Sequence, residues 1–152
     1  MRKIFVTGGA GFIGSAFLRL VLDETSDIEI INYDALTYAG NLDNLVGLDE
    51  KRHKFVQGDI CDREAVLAAL PDETDAILNF AAESHVDRSI HSADEFLRTN
   101  IIGTQVLLDA ARAKNVRRFV QISTDEVMGT LPEDDNAFVT EDSPLEPNSP
   151  YA

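Results

Sequence analysis

Between a short apolar run and an amphipathic stretch near the N-terminus stands Thr7-Gly8-Gly9-Ala10-Gly11-Phe12-Ile13-Gly14. A turn this tight between strand and helix needs a residue tolerant of positive φ, and Gly8 supplies one. Without a side chain, Gly11 leaves room for a pyrophosphate at the helix N-terminus, where free N–H groups and the helix dipole favour anions. Gly14 allows close packing of helix on strand. The glycine triplet alone fits a structural turn equally well. Its position after one strand and before one helix points to a dinucleotide fold.

The rest of the chain repeats this strand–helix alternation. Strands are predicted at Lys3–Thr7, Glu29–Tyr33, His53–Gln57, Ala76–Phe80 and Arg118–Ser123, each mostly bulky or β-branched as in a sheet covered on both faces. Helices are predicted at Phe12–Asp23, near Leu42–Leu48, at Arg63–Leu70 and from about Ala93 to Lys114. In the last, Phe96, Asn100, Gly103, Leu107 and Ala110 share one side at three- and four-residue spacing. Residues 129–150 carry four of the five prolines and no periodicity, which predicts a long surface loop. The expected fold is α/β, a doubly wound parallel sheet of Rossmann type with strand order 3-2-1-4-5, without internal repeats or a domain boundary.

Composition narrows the function. At 152 residues, 44% of them hydrophobic, the chain suits one domain. No apolar run approaches the roughly 18 residues of a membrane span, and the N-terminal apolar stretch is too short for a signal peptide, so a cytoplasmic protein is expected. A net charge of −14 argues against nucleic acid as a partner. An anionic ligand must therefore be held by local devices. The one cysteine, Cys61, excludes an internal disulfide and any multi-cysteine metal site, and it reads as a buried or semi-buried thiol. No metal is expected, and His53 and His91 read as surface residues.

Asp34 follows Gly14 by twenty residues, at the end of the second strand, where a carboxylate accepts hydrogen bonds from a ribose diol. No arginine or lysine follows it closely, which favours NAD over NADP. Farther on, Ser123-Thr124-Asp125-Glu126-Val127 leaves the fifth strand at the sheet edge where such folds bind ligands. Adjacent carboxylates there make either a solvated loop or an acid–base pair, and Tyr151 is either a loop residue or the hydroxyl that completes a site.

The glycine spacing resembles the extended short-chain dehydrogenase/reductase family. The stretches from Asp34 to Leu42, Ala82-Glu83-Ser84-His85-Val86-Asp87-Arg88-Ser89 and Ser123 to Val127 resemble, within it, the dTDP-glucose 4,6-dehydratases. The likeness covers essentially the whole chain. The Thr-Asp-Glu triplet is its most discriminating part, because related epimerases lack the acid pair.

The resemblance implies NAD contacts at Gly8, Gly11, Phe12, Ile13, Gly14, Asp34, Ala35, Leu36 and Thr37. It adds Asp59 and Ile60 at the adenine, then Phe80, Ala81, Ala82, Ser84 and Thr99. Ser84, His85 and Thr124 would contact a dTDP-glucose substrate, and Asn100 would support the tyrosine region. Tyr151 would deprotonate the sugar 4-hydroxyl, Glu126 would take the C5 proton and Asp125 would protonate the departing 6-hydroxyl.

The family's lysine, four residues after the tyrosine, falls beyond Ala152. Residues 1–152 are accordingly expected to be an incomplete NAD-binding domain without its substrate-binding domain. Such a chain should be a catalytically doubtful fragment of a homodimeric parent, with part of the long helix uncovered. Met128 stands where the family usually has tyrosine. The alternatives are a fragment of a 4-epimerase or other sugar dehydratase, or a stand-alone NAD-binding module.

Overall fold

The computed structural model describes residues 1–130 and 138–152. Part of the expected 129–150 loop, residues 131–137, lies outside the described residues; its remainder contains neither helix nor strand. Five parallel strands, β1 (Arg2–Thr7), β2 (Ile28–Asp34), β3 (His53–Gln57), β4 (Ala76–Asn79) and β5 (Arg118–Gln121), lie in the order β3-β2-β1-β4-β5. The order is the expected one, and the strand bounds move by one or two residues.

Alternation along β1 explains why both faces are covered. Phe5 faces one core with Tyr33, Ile77, Val66, Leu70, Leu107 and Ala110; Val6 faces the other with Leu18, Leu22 and Ile30. The second core is filled from α1 (Phe12–Glu24), the first from α2 (Arg63–Ala69) and from the long helix. Asp62 caps α2 by accepting the Ala65 N–H.

Two helical features escape the sequence pattern. α3 (Val86–His91) is too short to show a period. The long helix starts at α4 (Asp94–Phe96), is wound as a π-helix over Leu97–Gly103, and resumes as α5 (Thr104–Ala113). Its expected inner side is the observed one: Phe96, Gly103, Leu107 and Ala110 are buried and Asn100 half-buried. Gly103 sits where a Cβ would lie 2.5 Å from the Ile60 side chain, so the helix approaches the β3–α2 connection closely. Outward, Leu97, Ile101 and Ile102 are 49%, 57% and 48% exposed.

Buried polar groups tie together the strand ends that carry the site. The Thr7 hydroxyl donates to Asn79 Oδ1, and the Asn79 amide donates to Gln121 Oε1 at 2.8 Å and, longer, to Thr104 Oγ1. One side chain thus spans β1, β4, β5 and α5. His53 corrects the surface reading: it is half-buried, its Nε2 lies 3.3 Å from the Asn32 amide nitrogen, and burial lowers its pKa. It opens β3 beside Ile30 of β2, a context its isolated letter does not reveal. His91 is exposed as expected. Among the described residues no helix is long and apolar enough to cross a membrane.

Asn79→Ala leaves the fully buried Thr7 hydroxyl without its acceptor and is expected to cost about 2 kcal/mol in urea unfolding. A loss below about 0.5 kcal/mol would contradict the tie. The exposed apolar residues of the long helix predict concentration-dependent self-association in light scattering, weakened by Ile101→Glu. A monodisperse monomer across the concentration range would count against it.

Candidate active site

The β1–α1 turn forms the floor of a cleft. Gly8 has φ +69°, and a Cβ there would lie 2.5 Å from the Ala81 backbone nitrogen, so the turn after β1 touches the backbone leaving β4. At Gly14 a Cβ would overlap the Gly8 carbonyl oxygen, so the close packing this glycine permits is against the turn itself. Gly11 lines the cleft and precedes α1 with no side-chain cap, so no side chain takes up the first helical N–H groups. Phe12, Ile13 and Gly14 do not line the cleft, and the Phe12 and Ile13 side chains are 88% and 62% exposed.

At the end of β2 the Asp34 carboxylate is nearly buried. It accepts the Ala10 N–H at 2.9 Å on one oxygen and the Leu36 N–H at 2.8 Å on the other. Two backbone donors fix its direction and leave lone pairs for hydroxyl donors. Leu36 adopts φ +55°, a strained conformation for a branched residue, which bends the following loop back over the carboxylate. Ala35 and Thr37 line the cleft beside it.

The other strand ends supply the remaining walls. Asp59 and Ile60 after β3, Phe80, Ala81 and Ala82 after β4, and Thr99 of the π-helical segment all line the cleft. Burial opposes ionisation of Asp59, but the Cys61 backbone N–H and the Arg98 guanidinium outweigh it and hold its carboxyl below the usual range. Tyr33 lies beneath, its hydroxyl donating to the Asp59 carbonyl at 3.2 Å, and burial pushes its pKa up to about 12. Cys61 is half-buried as expected; burial, then the nearby Asp59 charge, push its thiol up to about 11.

A second cavity adjoins the first and shares its Ala81–Ala82 wall. Thr124, Asn100 and Tyr151 line it. Asn100 accepts the Glu83 N–H and donates to the Glu83 carbonyl, both at 2.9 Å, which fixes the β4–α3 loop. The Thr124 hydroxyl accepts the Glu126 N–H and starts a 3₁₀ turn, Asp125–Met128, with Asp125 exposed and Glu126 half-buried. The Tyr151 ring meets Phe96 edge-on, with centroids 6.3 Å apart. Ser84 and His85 are exposed and line neither cavity; the His85 ring instead packs on Tyr38, 5.1 Å between centroids.

Tyr33, Glu83, Glu95 and Arg98 also line the main cleft, and sequence reasoning passed over them. The signal for two of them was present: Glu95 and Arg98 share a helix side with Thr99 and each other at three- and four-residue spacing. Tyr33 carried none, since its ring is core and only its hydroxyl reaches the cleft.

The parallel sheet, the glycine turn and the buried strand-end carboxylate together define a Rossmann-like α/β domain. Within that class, the chain belongs to the family described as GDP-mannose 4,6 dehydratase, whose model matches residues 5–152. The low-salt glycan biosynthesis protein Agl12 of Haloferax volcanii is 57% identical over 98% of this chain and 47% of its own. The dTDP-glucose 4,6-dehydratase DesIV of Streptomyces venezuelae, crystallised with NAD bound, superposes with a TM-score of 0.89 at 49% identity, over 98% of this chain and 47% of that one. The UDP-Glc/GlcNAc 4-epimerase of Campylobacter jejuni follows at 33% identity and a TM-score of 0.88, over 99% and 45%. The chain spans about half the length of the relatives it matches.

Gly8→Ala is expected to destabilise the fold by about 3 kcal/mol or more, because both φ and the Ala81 backbone oppose a Cβ; an unchanged melting temperature would refute the contact. For Cys61 the raised pKa means less thiolate at pH 8 than in a free cysteine. Disulfide-reagent labelling should therefore run at least tenfold slower than for a peptide thiol and accelerate with pH up to about 11. Labelling at the peptide rate would contradict the burial.

Proposed function

We propose that residues 1–152 are the NAD-binding half of a nucleotide-sugar 4,6-dehydratase that converts dTDP-glucose to its 4-keto-6-deoxy product. One observation carries this reading: Thr124 and Tyr151 line one cavity against the Ala81–Ala82 wall that also closes the main cleft, and Thr124 opens the turn that bears Asp125 and Glu126, although neither carboxylate lines that cavity. The cavity of Thr124 and Tyr151 and the main cleft thus meet across two small side chains. The chain spans about half the length of its relatives, which supports a sugar-nucleotide-binding domain outside these residues. Likeness to dehydratases is also what supports a homodimeric, cytoplasmic parent.

NAD fits the residues present. The uncapped start of α1 with Gly8, Gly11 and Gly14 suits the pyrophosphate, and the Asp34 carboxylate suits an unphosphorylated ribose. Asp59 and Ile60 suit the adenine, and Phe80 to Ala82 with Thr99 suit the nicotinamide half. When bound, NAD supplies a hydride acceptor that returns the hydride within the same turnover.

The chain's own residues handle the protons. Tyr151 removes the proton of the sugar 4-hydroxyl while Thr124 orients that oxygen. The resulting 4-keto group acidifies C5–H. Glu126 takes the C5 proton, and Asp125 gives one to the departing 6-hydroxyl as water leaves. A 4-epimerase needs no such pair, and it would invert C4 without losing water. Ser84 and His85 hold the sugar in this reading.

Asp34→Ala is expected to weaken NAD binding to the chain at least tenfold in calorimetry without loss of the fold; unchanged affinity would exclude the ribose role. Residues 1–152 grafted in place of the matching half of DesIV should dehydrate dTDP-glucose. In that chimera Glu126→Gln should lower kcat by about 10²-fold or more. Inversion at C4 with no 4-keto product would select the epimerase instead.

A further inference from the structure

The main cleft is lined by four carboxylates, Asp34, Asp59, Glu83 and Glu95. The ligand proposed for it carries a doubly anionic pyrophosphate, and the whole chain bears a net charge of −14. Free amides at the start of α1 are partial charges only. Among the described residues that line this cleft, the one cation is Arg98.

Its placement is built rather than incidental. One guanidinium nitrogen lies 2.6 Å from Asp59 Oδ2, while Asp59 Oδ1 accepts the Cys61 N–H at 2.8 Å. The Cys61 thiol in turn donates to the Arg98 carbonyl at 3.2 Å. Side chain and backbone of Arg98 are thus both held by the loop that follows β3. The side chain stays about half exposed, so its remaining donors and its flat face stay open toward the cleft. Arg98 and Thr99, both on the π-helical segment Leu97–Gly103, line the same cleft.

Resting on the dinucleotide reading above, we infer that Arg98 is the counter-ion through which this acidic cleft admits a dinucleotide diphosphate. Paired with Asp59, it cancels one carboxylate at the adenine end. Without it, four uncompensated carboxylates would face the incoming pyrophosphate within about one Debye length, roughly 10 Å at 0.1 M salt. Arg98 is therefore a determinant of affinity for charged adenine nucleotides, and it is indifferent to adenosine, which carries no phosphate. Glu95, one helical turn before it, acts with the opposite sign.

The test is calorimetric titration of the 152-residue chain with NAD, ADP and adenosine at 50 mM and 500 mM salt. Arg98→Gln should weaken NAD and ADP five- to tenfold at low salt and adenosine less than twofold, and the ADP loss should shrink to about twofold at high salt. Arg98→Lys should stay within threefold of the unaltered chain, and Glu95→Gln should tighten ADP two- to threefold. Equal losses for ADP and adenosine, or a loss insensitive to salt, would overturn the inference by showing that the side chain acts through packing. No loss for Arg98→Gln, or no gain for Glu95→Gln, would overturn it as well. Absence of NAD and ADP binding by the unaltered chain would instead defeat the dinucleotide reading, and this inference with it.

Discussion

The backbone leaving β1 touches the backbone leaving β4 at Gly8, with no room for a single carbon between them. Everything else about the site depends on this approach. It brings the start of α1 over the strand ends, and it sets the Ala81–Ala82 strip as a common wall for both cavities. The buried Thr7–Asn79–Gln121 ties hold the same three strands in register one residue earlier. A rigid, side-chain-free floor results, and the functional groups project from the loops around it.

The two halves of the site differ in how they are held. On the cofactor side the fixing groups are backbone amides: Ala10 and Leu36 on Asp34, Cys61 on Asp59. Such donors cannot rotate away, so these carboxylates are aimed before any ligand arrives. Around the second cavity the Thr124 hydroxyl caps a single 3₁₀ turn, and Tyr151 rests against Phe96. That side is the less constrained of the two.

Much of this was legible in the sequence for a physical reason. Glycines with stringent steric roles and strands with two covered faces leave patterns that letters preserve, so Gly8, Gly14, Asp34 and the strand order could be read directly. The π-helical turn could not, since its residues follow an ordinary helical pattern. His53 read as surface because burial by a neighbouring strand leaves no mark on the residue itself. Arg98 left only its helical spacing from Glu95 as a trace: charged residues on helices are common, and only the cleft makes this one singular. The adenine and substrate roles of individual residues rested on likeness, with Ser84 and His85 lying outside both cavities.

The central claim is that one cleft, built on the β1–α1 turn, receives NAD. It is tested most directly by titrating NAD into the isotopically labelled chain and mapping amide NMR shifts. The account predicts that perturbations concentrate at Gly8–Gly14, Asp34–Gly40, Gly58–Ile60 and Phe80–Ala82. Shifts scattered elsewhere, or none at millimolar NAD, would contradict it.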